Sequence, residues 1–160
     1  MRMKNKIWYG VTIVLIALDQ GSKYLALHAL TLYRPVSVFP GLNWTLTYNS
    51  GSAFGFLNQS AVWWHAYLFT AFGILMSLGL VVWMALCKSR EKLELLALAC
   101  ILSGALGNVV DRLRLGYVVD FIQVYYKTHS FPVFNVADST ICIGAFLLFF
   151  ISGKVARKKK

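Results

Sequence analysis

Four long apolar runs constrain this chain more than any other feature of its sequence. Each is close to the length that a helix needs to cross ~30 Å of hydrocarbon, and they lie at about residues 7–28, 61–86, 93–110 and 134–152. Hydrophobic residues make up 58% of the sequence and charged residues 14%, which is outside the usual balance of a soluble domain. The chain is therefore predicted to form a single integral membrane domain over residues 1–160, an all-α fold of four transmembrane helices.

The first apolar run could instead belong to a secretory signal peptide, because Arg2, Lys4 and Lys6 precede it. However, no small-x-small cleavage site follows the run, and apolar character resumes from Tyr24 to Leu27. We therefore expect this segment to be a retained helix.

The distribution of Lys and Arg predicts the orientation of the helices, since loops rich in these residues stay in the cytoplasm. Eleven of the 16 basic residues lie in the N-terminus, the loop between the second and third runs, and the tail: Arg2, Lys4, Lys6, Lys88, Arg90, Lys92, Lys154, Arg157, Lys158, Lys159 and Lys160. Both termini are thus expected inside, and the connections at about 29–60 and 111–133 outside. The net charge of +10 reflects this topology. Because no basic stripe carries interleaved aromatic residues, we expect no nucleic-acid partner.

The outer loops contain short segments that are typical of β-strands. Residues 36–39 and 42–48 are rich in β-branched and aromatic residues, and a Pro40-Gly41 turn separates them. Residues 118–126 have the same character, although periodicity alone cannot assign so short an apolar run. A small sheet is therefore expected on the outer face.

The acidic residues are the main chemical clue. The predicted topology sends Glu91 and Glu94 to the cytoplasmic side, and it places the other four in the outer half: Asp19, Asp111, Asp120 and Asp138. A carboxylate at the hydrocarbon boundary is costly unless it is paired, hydrogen-bonded or neutralised. Four at one level indicate a shared polar site.

Two of these aspartates have a structural explanation. Asp19 and Lys23 stand four residues apart, so they can form an ion pair on one helix face. Asp111 precedes Arg112 and follows Asn108 by one turn, which would allow an ion pair and an amide network to close the third helix. Both aspartates are expected to support the site.

The remaining two are the better candidates for catalysis. Asp120 lies between Val119 and Phe121, an apolar setting that raises the pKa of a carboxyl group. Asp138 follows Asn135 by one turn, and Asn135 is the better placed helix cap, which leaves Asp138 for function. Two carboxylates that share a proton can hydrolyse an amide. The sequence contains no triad spacing, metal-ligand pattern or phosphate loop, so neither a metal nor another cofactor is expected.

Five short motifs are spread over the predicted helices and the outer loops. In chain order they are Asp19–Lys23 (DQGSK), Asn49–Gly55 (NSGSAFG), Gly104–Arg112 (GALGNVVDR), Val118–Ile122 (VVDFI) and Phe134–Asp138 (FNVAD). In this order the chain resembles the bacterial lipoprotein signal peptidases, also called the signal peptidase II family.

The resemblance implies a fold of four transmembrane helices with a small extracytoplasmic β-cradle in the bacterial inner membrane. It also implies an aspartyl endopeptidase that removes the signal peptide from diacylglyceryl-modified prolipoproteins, just before the lipidated cysteine. The implied catalytic pair is Asp120 and Asp138. The positions implied to support the site or contact substrate are Asn49, Gly51, Asn108, Asp111, Arg112, Asn135 and Ala137, together with Asp19 and Lys23. We further expect contact with membrane lipid, inhibition by cyclic peptides of the globomycin type, and a monomer.

Two other classes of protein remain as alternatives. A small proton-coupled transporter is one, because Asp and Lys within a membrane also mark proton relays. Such a transporter places its carboxylate near the bilayer midplane, whereas these acids gather at one surface. A noncatalytic membrane scaffold is the other, and it would tolerate Asn at both Asp120 and Asp138.

Overall fold

The computed structural model describes residues 6–51, 62–87 and 92–158, apart from the side chains of residues 62–66 and 153–158. The end of the second motif lies outside the described residues, because it falls within residues 52–61. Most of the basic residues that predict orientation lie outside them as well. Within these described ranges, four helices and four strands form in the order α1 (Lys6–Ala29), β1 (Val36–Phe39), β2 (Leu42–Asn49), α2 (Val62–Leu86), α3 (Lys92–Leu115), β3 (Val118–Tyr126), β4 (His129–Ser130) and α4 (Val136–Lys158).

Among the described residues, three helical segments are long and apolar enough to cross a membrane, namely Lys6–Ala29, Tyr67–Leu86 and Lys92–Leu115. The described apolar part of α4, Val136–Ser152, is shorter. Helix α3 is central, since α1, α2 and α4 all pack against it. Leu95, Leu98 and Leu102 on α3 are buried in one cluster with Leu80 and Met84 of α2.

Glycines on α3 and α4 allow these two helices to pack closely. A Cβ atom on Gly104 would lie 2.2 Å from the carbonyl oxygen of Ala137, and one on Gly144 would lie 2.5 Å from that of Ala97. Gly104 of α3 lies beside the start of α4, whereas Ala97, which precedes Gly104 in α3, lies beside Gly144, farther along α4. The two helices therefore run antiparallel. Small residues are what permits such close contact between membrane helices.

Helix α3 is longer than the sequence predicted. We expected it to end near residue 110, with Asp111 and Arg112 in the outer loop, but it continues to Leu115. Arg112 and Arg114 are good helix formers, and cations near a helix C-terminus are favoured by its dipole. The helix then ends at Gly116, which has a φ of 82° and donates its N–H to the carbonyl of Arg112.

The predicted sheet is confirmed, and it is antiparallel with the strand order β1-β2-β3-β4. The two-residue strand β4 was not predicted. Val119 and Phe121 of β3 are buried with Ala26 of α1 and Leu46 of β2. Since successive side chains of a strand point to opposite faces, Asp120 points away from this apolar cluster. The sheet lies at one end of the helix bundle, and we call this end the sheet end.

Candidate active site

Asp120 is buried on β3, and amide groups hold both of its carboxyl oxygens. Its Oδ1 accepts a hydrogen bond from Asn135 Nδ2 at 2.6 Å, and its Oδ2 accepts one from Asn49 Nδ2 at 3.1 Å. Only 1% of the residue is exposed. Burial raises the pKa of Asp120 to about 7, and the nearby charge of Asp138 contributes to the rise. A carboxyl group with this pKa can exchange a proton near neutral pH.

Asp138 lies in the first turn of α4, where it forms a reciprocal cap with Asn135. The N–H of Asp138 donates to Asn135 Oδ1 at 2.8 Å, and the N–H of Asn135 donates to Asp138 Oδ2 at 3.3 Å. This is the capping-box arrangement. The prediction that Asn135 is the better placed cap is confirmed, and Asp138 takes part in the cap as well. Its Oδ1 accepts a further hydrogen bond from Asn108 Nδ2 at 2.8 Å.

Asn135 and Asn108 connect the two carboxyl groups. Asn135 is fully buried, and its side chain contacts Asp120 through Nδ2 and the N–H of Asp138 through Oδ1. Its Nδ2 also lies 3.2 Å from Asn108 Oδ1. That oxygen accepts from Lys23 Nζ at 3.1 Å, and since an ammonium group can only donate, Lys23 fixes which way the Asn108 amide points. The structure thus brings Asp120 and Asp138 into one hydrogen-bonded network.

The other two aspartates form an ion cluster around Lys23. Lys23 Nζ lies 2.9 Å from Asp19 Oδ2 and 2.9 Å from Asp111 Oδ2. All three residues are buried. Asp19 Oδ1 also accepts from the N–H of Ala137 at 2.8 Å, which ties α1 to the start of α4. The ion pair predicted between Asp19 and Lys23 is present, with Asp111 as a third member.

Asp111 does not form the predicted ion pair with Arg112. Its Oδ2 pairs with Lys23 and accepts from the N–H of Val119 at 3.1 Å, while its Oδ1 accepts from Gln20 Nε2 at 2.9 Å. The reason is geometric, because neighbouring residues of a helix point in different directions. Gln20 lies in the motif Asp19–Lys23, but we predicted no role for it from the sequence. An amide residue next to Asp19 within an apolar run was the available signal.

Arg112 stacks on an aromatic ring that the sequence analysis did not identify. Its guanidinium carbon lies 5.6 Å from the centre of the Phe69 ring of α2. Its Nε is buried and finds no hydrogen-bond partner within residues 6–51, 62–87 and 92–158. Asp138, Asp120 and Asp111 are close enough to interact electrostatically with Arg112. Arg112 therefore lies beside the network with donor capacity left over.

Asn49 and Gly51 form a tight turn at the end of β2. Asn49 Oδ1 accepts from the N–H of Gly51 at 2.9 Å, so one amide group binds both the turn and Asp120. Gly51 has a φ of 94°, a conformation that side-chain-bearing residues rarely adopt. All the residues expected at the site thus lie in or beside two connected clusters, one held by amides and one by ion pairs.

Comparison with known proteins identifies the family to which the chain belongs. The family described as signal peptidase (SPase) II matches residues 11–153 of the chain. The chain belongs to the signal peptidase II family. Lipoprotein signal peptidases from Acinetobacter baylyi and Coxiella burnetii are each 47% identical to it, the first over 90% of this chain and 80% of the relative, the second over 89% and 85%.

The fold is also similar to solved proteins. A structure described as a bacterial membrane enzyme superposes with a TM-score of 0.84 at 29% identity, covering 97% of this chain and 92% of the other. A second with the same description gives 0.79 at 28% identity, covering 91% and 92%. Members of the signal peptidase II family are membrane aspartyl peptidases that cleave the signal peptides of prolipoproteins. The chain is accordingly such a hydrolase, a multi-pass protein of the bacterial inner membrane, and the transporter and scaffold alternatives are set aside.

Proposed function

We propose that Asp120 and Asp138 are the catalytic pair of this peptidase, and that it cleaves diacylglyceryl-modified prolipoproteins just before the lipidated cysteine. One observation carries the assignment: Asn135 holds both residues, while neither forms an ion pair among the described residues. The other two aspartates both pair with Lys23. A carboxylate committed to a buried ammonium is poorly placed to accept a proton from water.

In the proposed reaction, a water molecule lies between the two carboxyl groups and attacks the carbonyl carbon of the scissile amide. Asp138, in the ionised form, takes a proton from this water, and protonated Asp120 donates its proton to the carbonyl oxygen. The tetrahedral intermediate then collapses as its hydroxyl returns a proton to Asp120. Asp138 gives its proton to the leaving nitrogen, and the C–N bond breaks. Both carboxyl groups return to their starting forms.

The pKa of Asp120 supports this division of roles. At a pKa of about 7, a large fraction of Asp120 is protonated at neutral pH and can act as the acid. Asp138 lies in the first turn of α4, where the dipole and the free N–H groups of a helix favour a negative charge. It is only partly buried, which leaves it accessible to water.

The lipidated substrate suits a site at a membrane surface. Its acyl chains can stay in the bilayer while the peptide bond reaches the carboxyl groups, so binding of the lipid positions the reacting amide. In this scheme Arg112 contacts the substrate with its spare donors. Cyclic peptides of the globomycin type would compete for the same place. We infer that one chain suffices, because both aspartates come from the same chain.

We further propose that α4 is a fourth membrane span and that the sheet end faces outward. Helix α4 packs along α3 from Gly104, which contacts Ala137, to Gly144, which contacts Ala97. The distribution of Lys and Arg supports the orientation. Reporter fusions after Lys88 and Lys160 should report cytoplasm, and fusions near Gln59 and Lys127 should report the outside. An outward Lys88 would overturn the orientation.

The catalytic assignment is tested with Asp120→Asn, Asp138→Asn and the double variant, using a purified lipidated prolipoprotein as substrate. Each replacement keeps the size of the side chain but removes its ionisation, so cleavage per folded molecule should fall by about 10³-fold or more. Substrate binding should persist. The double variant should be little worse than either single one, because the two groups act as a unit. Near-normal cleavage by either single variant would contradict the assignment.

A further inference from the structure

Phe69 lies against two residues of the site, although it carries no polar group. The guanidinium carbon of Arg112 lies over the ring, 5.6 Å from its centre. Gly51 lies against the ring as well, because a Cβ atom on Gly51 would come within 2.5 Å of Phe69 Cδ2 and 2.7 Å of Cε2. These contacts join α2 to the end of β2 and to the last turns of α3.

We propose that Phe69 is a positioning residue of the active site, which holds the Arg112 guanidinium where it can bind the substrate. The inference rests on the proposed role of Arg112 as a substrate contact. An aromatic face within about 6 Å attracts a guanidinium group through its quadrupole. Phe69 therefore supplies a weak attraction that orients Arg112 without using any of its N–H donors. A carboxylate in the same place would have consumed them.

Two observations make this more than ordinary packing. Arg112 forms no ion pair with a described residue, although three aspartates lie near it, so the ring is its one identified partner in that part of the chain. The lack of a Cβ atom at Gly51 lets the ring approach the turn that binds Asp120 through Asn49. The ring thus contacts both a substrate-binding group and the support of a catalytic one.

The test compares Phe69→Leu, Phe69→Tyr and Phe72→Leu in the full-length enzyme, with a lipidated prolipoprotein as substrate. Phe72 is the matched control because it is on the same helix and 61% exposed, whereas Phe69 is 37% exposed. Loss of a cation–π contact corresponds to a change of about 3- to 30-fold. We expect Phe69→Leu to raise KM by this factor with kcat little changed, Phe69→Tyr to restore KM, and Phe72→Leu to match the native enzyme.

A second comparison ties the effect to Arg112. In an Arg112→Gln background, Phe69→Leu should raise KM by less than about twofold, because the group that the ring positions is gone. If Phe69→Leu lowers the folded yield too far, Phe69→Met replaces it. Unchanged KM in the Phe69 variant, an equal rise in the Arg112→Gln background, or no rescue by Tyr would overturn the proposal. Failure of the catalytic pair would show separately, as cleavage by Asp120→Asn.

Discussion

The four aspartates near the sheet end belong to two clusters that satisfy them in different ways. In the inner cluster, Asp19 and Asp111 are each 2.9 Å from the ammonium of Lys23. In the outer cluster, Asp120 and Asp138 are held by side-chain amides and a backbone N–H, with no ion pair among the described residues. The same residue type is thus held by an ammonium group in one cluster and by amide groups in the other.

This difference separates support from chemistry. A buried ion pair is costly to break, so it holds α1 and α3 in register but resists a change of charge. Amide hydrogen bonds hold a carboxyl group in place without fixing its protonation state. Asn108 joins the clusters, since it accepts from Lys23 and donates to Asp138. The inner cluster therefore orients Asp138 through this amide.

The largest effect on stability should come from Lys23→Met, which removes the only cation of the inner cluster and leaves two buried carboxylates facing each other. Breaking a buried pair in this way costs about 3–5 kcal/mol. We expect a large fall in the unfolding temperature in detergent and in the yield of folded protein. Adding Asp19→Asn and Asp111→Asn should recover part of the loss. A Lys23→Met variant as stable as the native protein would show that the inner cluster does not support the fold.

A smaller loss of stability is expected for Gly107→Ala, which disturbs the inner cluster most directly. A Cβ atom there would lie 2.6 Å from Asp19 Oδ2 and 3.3 Å from the Cβ of Ala137. Forcing a methyl group into a packed site costs about 1–3 kcal/mol. Gly79→Ala is the matched control, because nothing lies within 4 Å of the added atom. Thermal unfolding should separate the two variants, while turnover per folded molecule stays within a few-fold of the native value. A collapse of turnover without unfolding would contradict the division between the clusters.

The smallest expected effect concerns the outer cluster, and it is a change in the pH dependence of cleavage. Asp120 must be protonated to donate to the carbonyl oxygen, so kcat/KM should fall as the pH rises through about 7. The hydrogen bond from Asn49 lowers the pKa of Asp120, against the larger effect of burial. Asn49→Ala should therefore move the falling limb to higher pH. The measurement is a kcat/KM profile of both enzymes, and a shift to lower pH would contradict the role of Asp120 as the acid.

Much of this arrangement could be predicted from the sequence, because it depends on local spacing. The spacing of four between Asp19 and Lys23 predicted their ion pair, and the apolar neighbours of Asp120 predicted its raised pKa. The β-branched segments predicted three of the four strands. These features need no knowledge of how the helices pack.

The rest depends on contacts between distant parts of the chain. Asp111 meets Lys23 across 88 positions of sequence, and no local pattern distinguished that partner from its neighbour Arg112. We predicted no role for Phe69, because an aromatic residue in an apolar run is typical of ordinary packing. The dual role of Asn135, as cap and as bridge, becomes visible only when β3 lies beside the start of α4.

The most direct test compares Asp111→Asn with Asp120→Asn. Asp111 is a buried carboxyl group of the inner cluster, and Asp120 is a buried carboxyl group of the outer cluster. Turnover of a lipidated prolipoprotein per folded molecule and thermal unfolding should be measured on the same preparations. We expect Asp120→Asn to lose about 10³-fold or more in turnover yet to remain folded, since proton transfer is removed but packing is not. Asp111→Asn should unfold more readily and lose only part of its turnover. If Asp111→Asn abolished cleavage while remaining folded and Asp120→Asn kept near-normal turnover, the assignment of chemistry to the amide-held cluster would be contradicted.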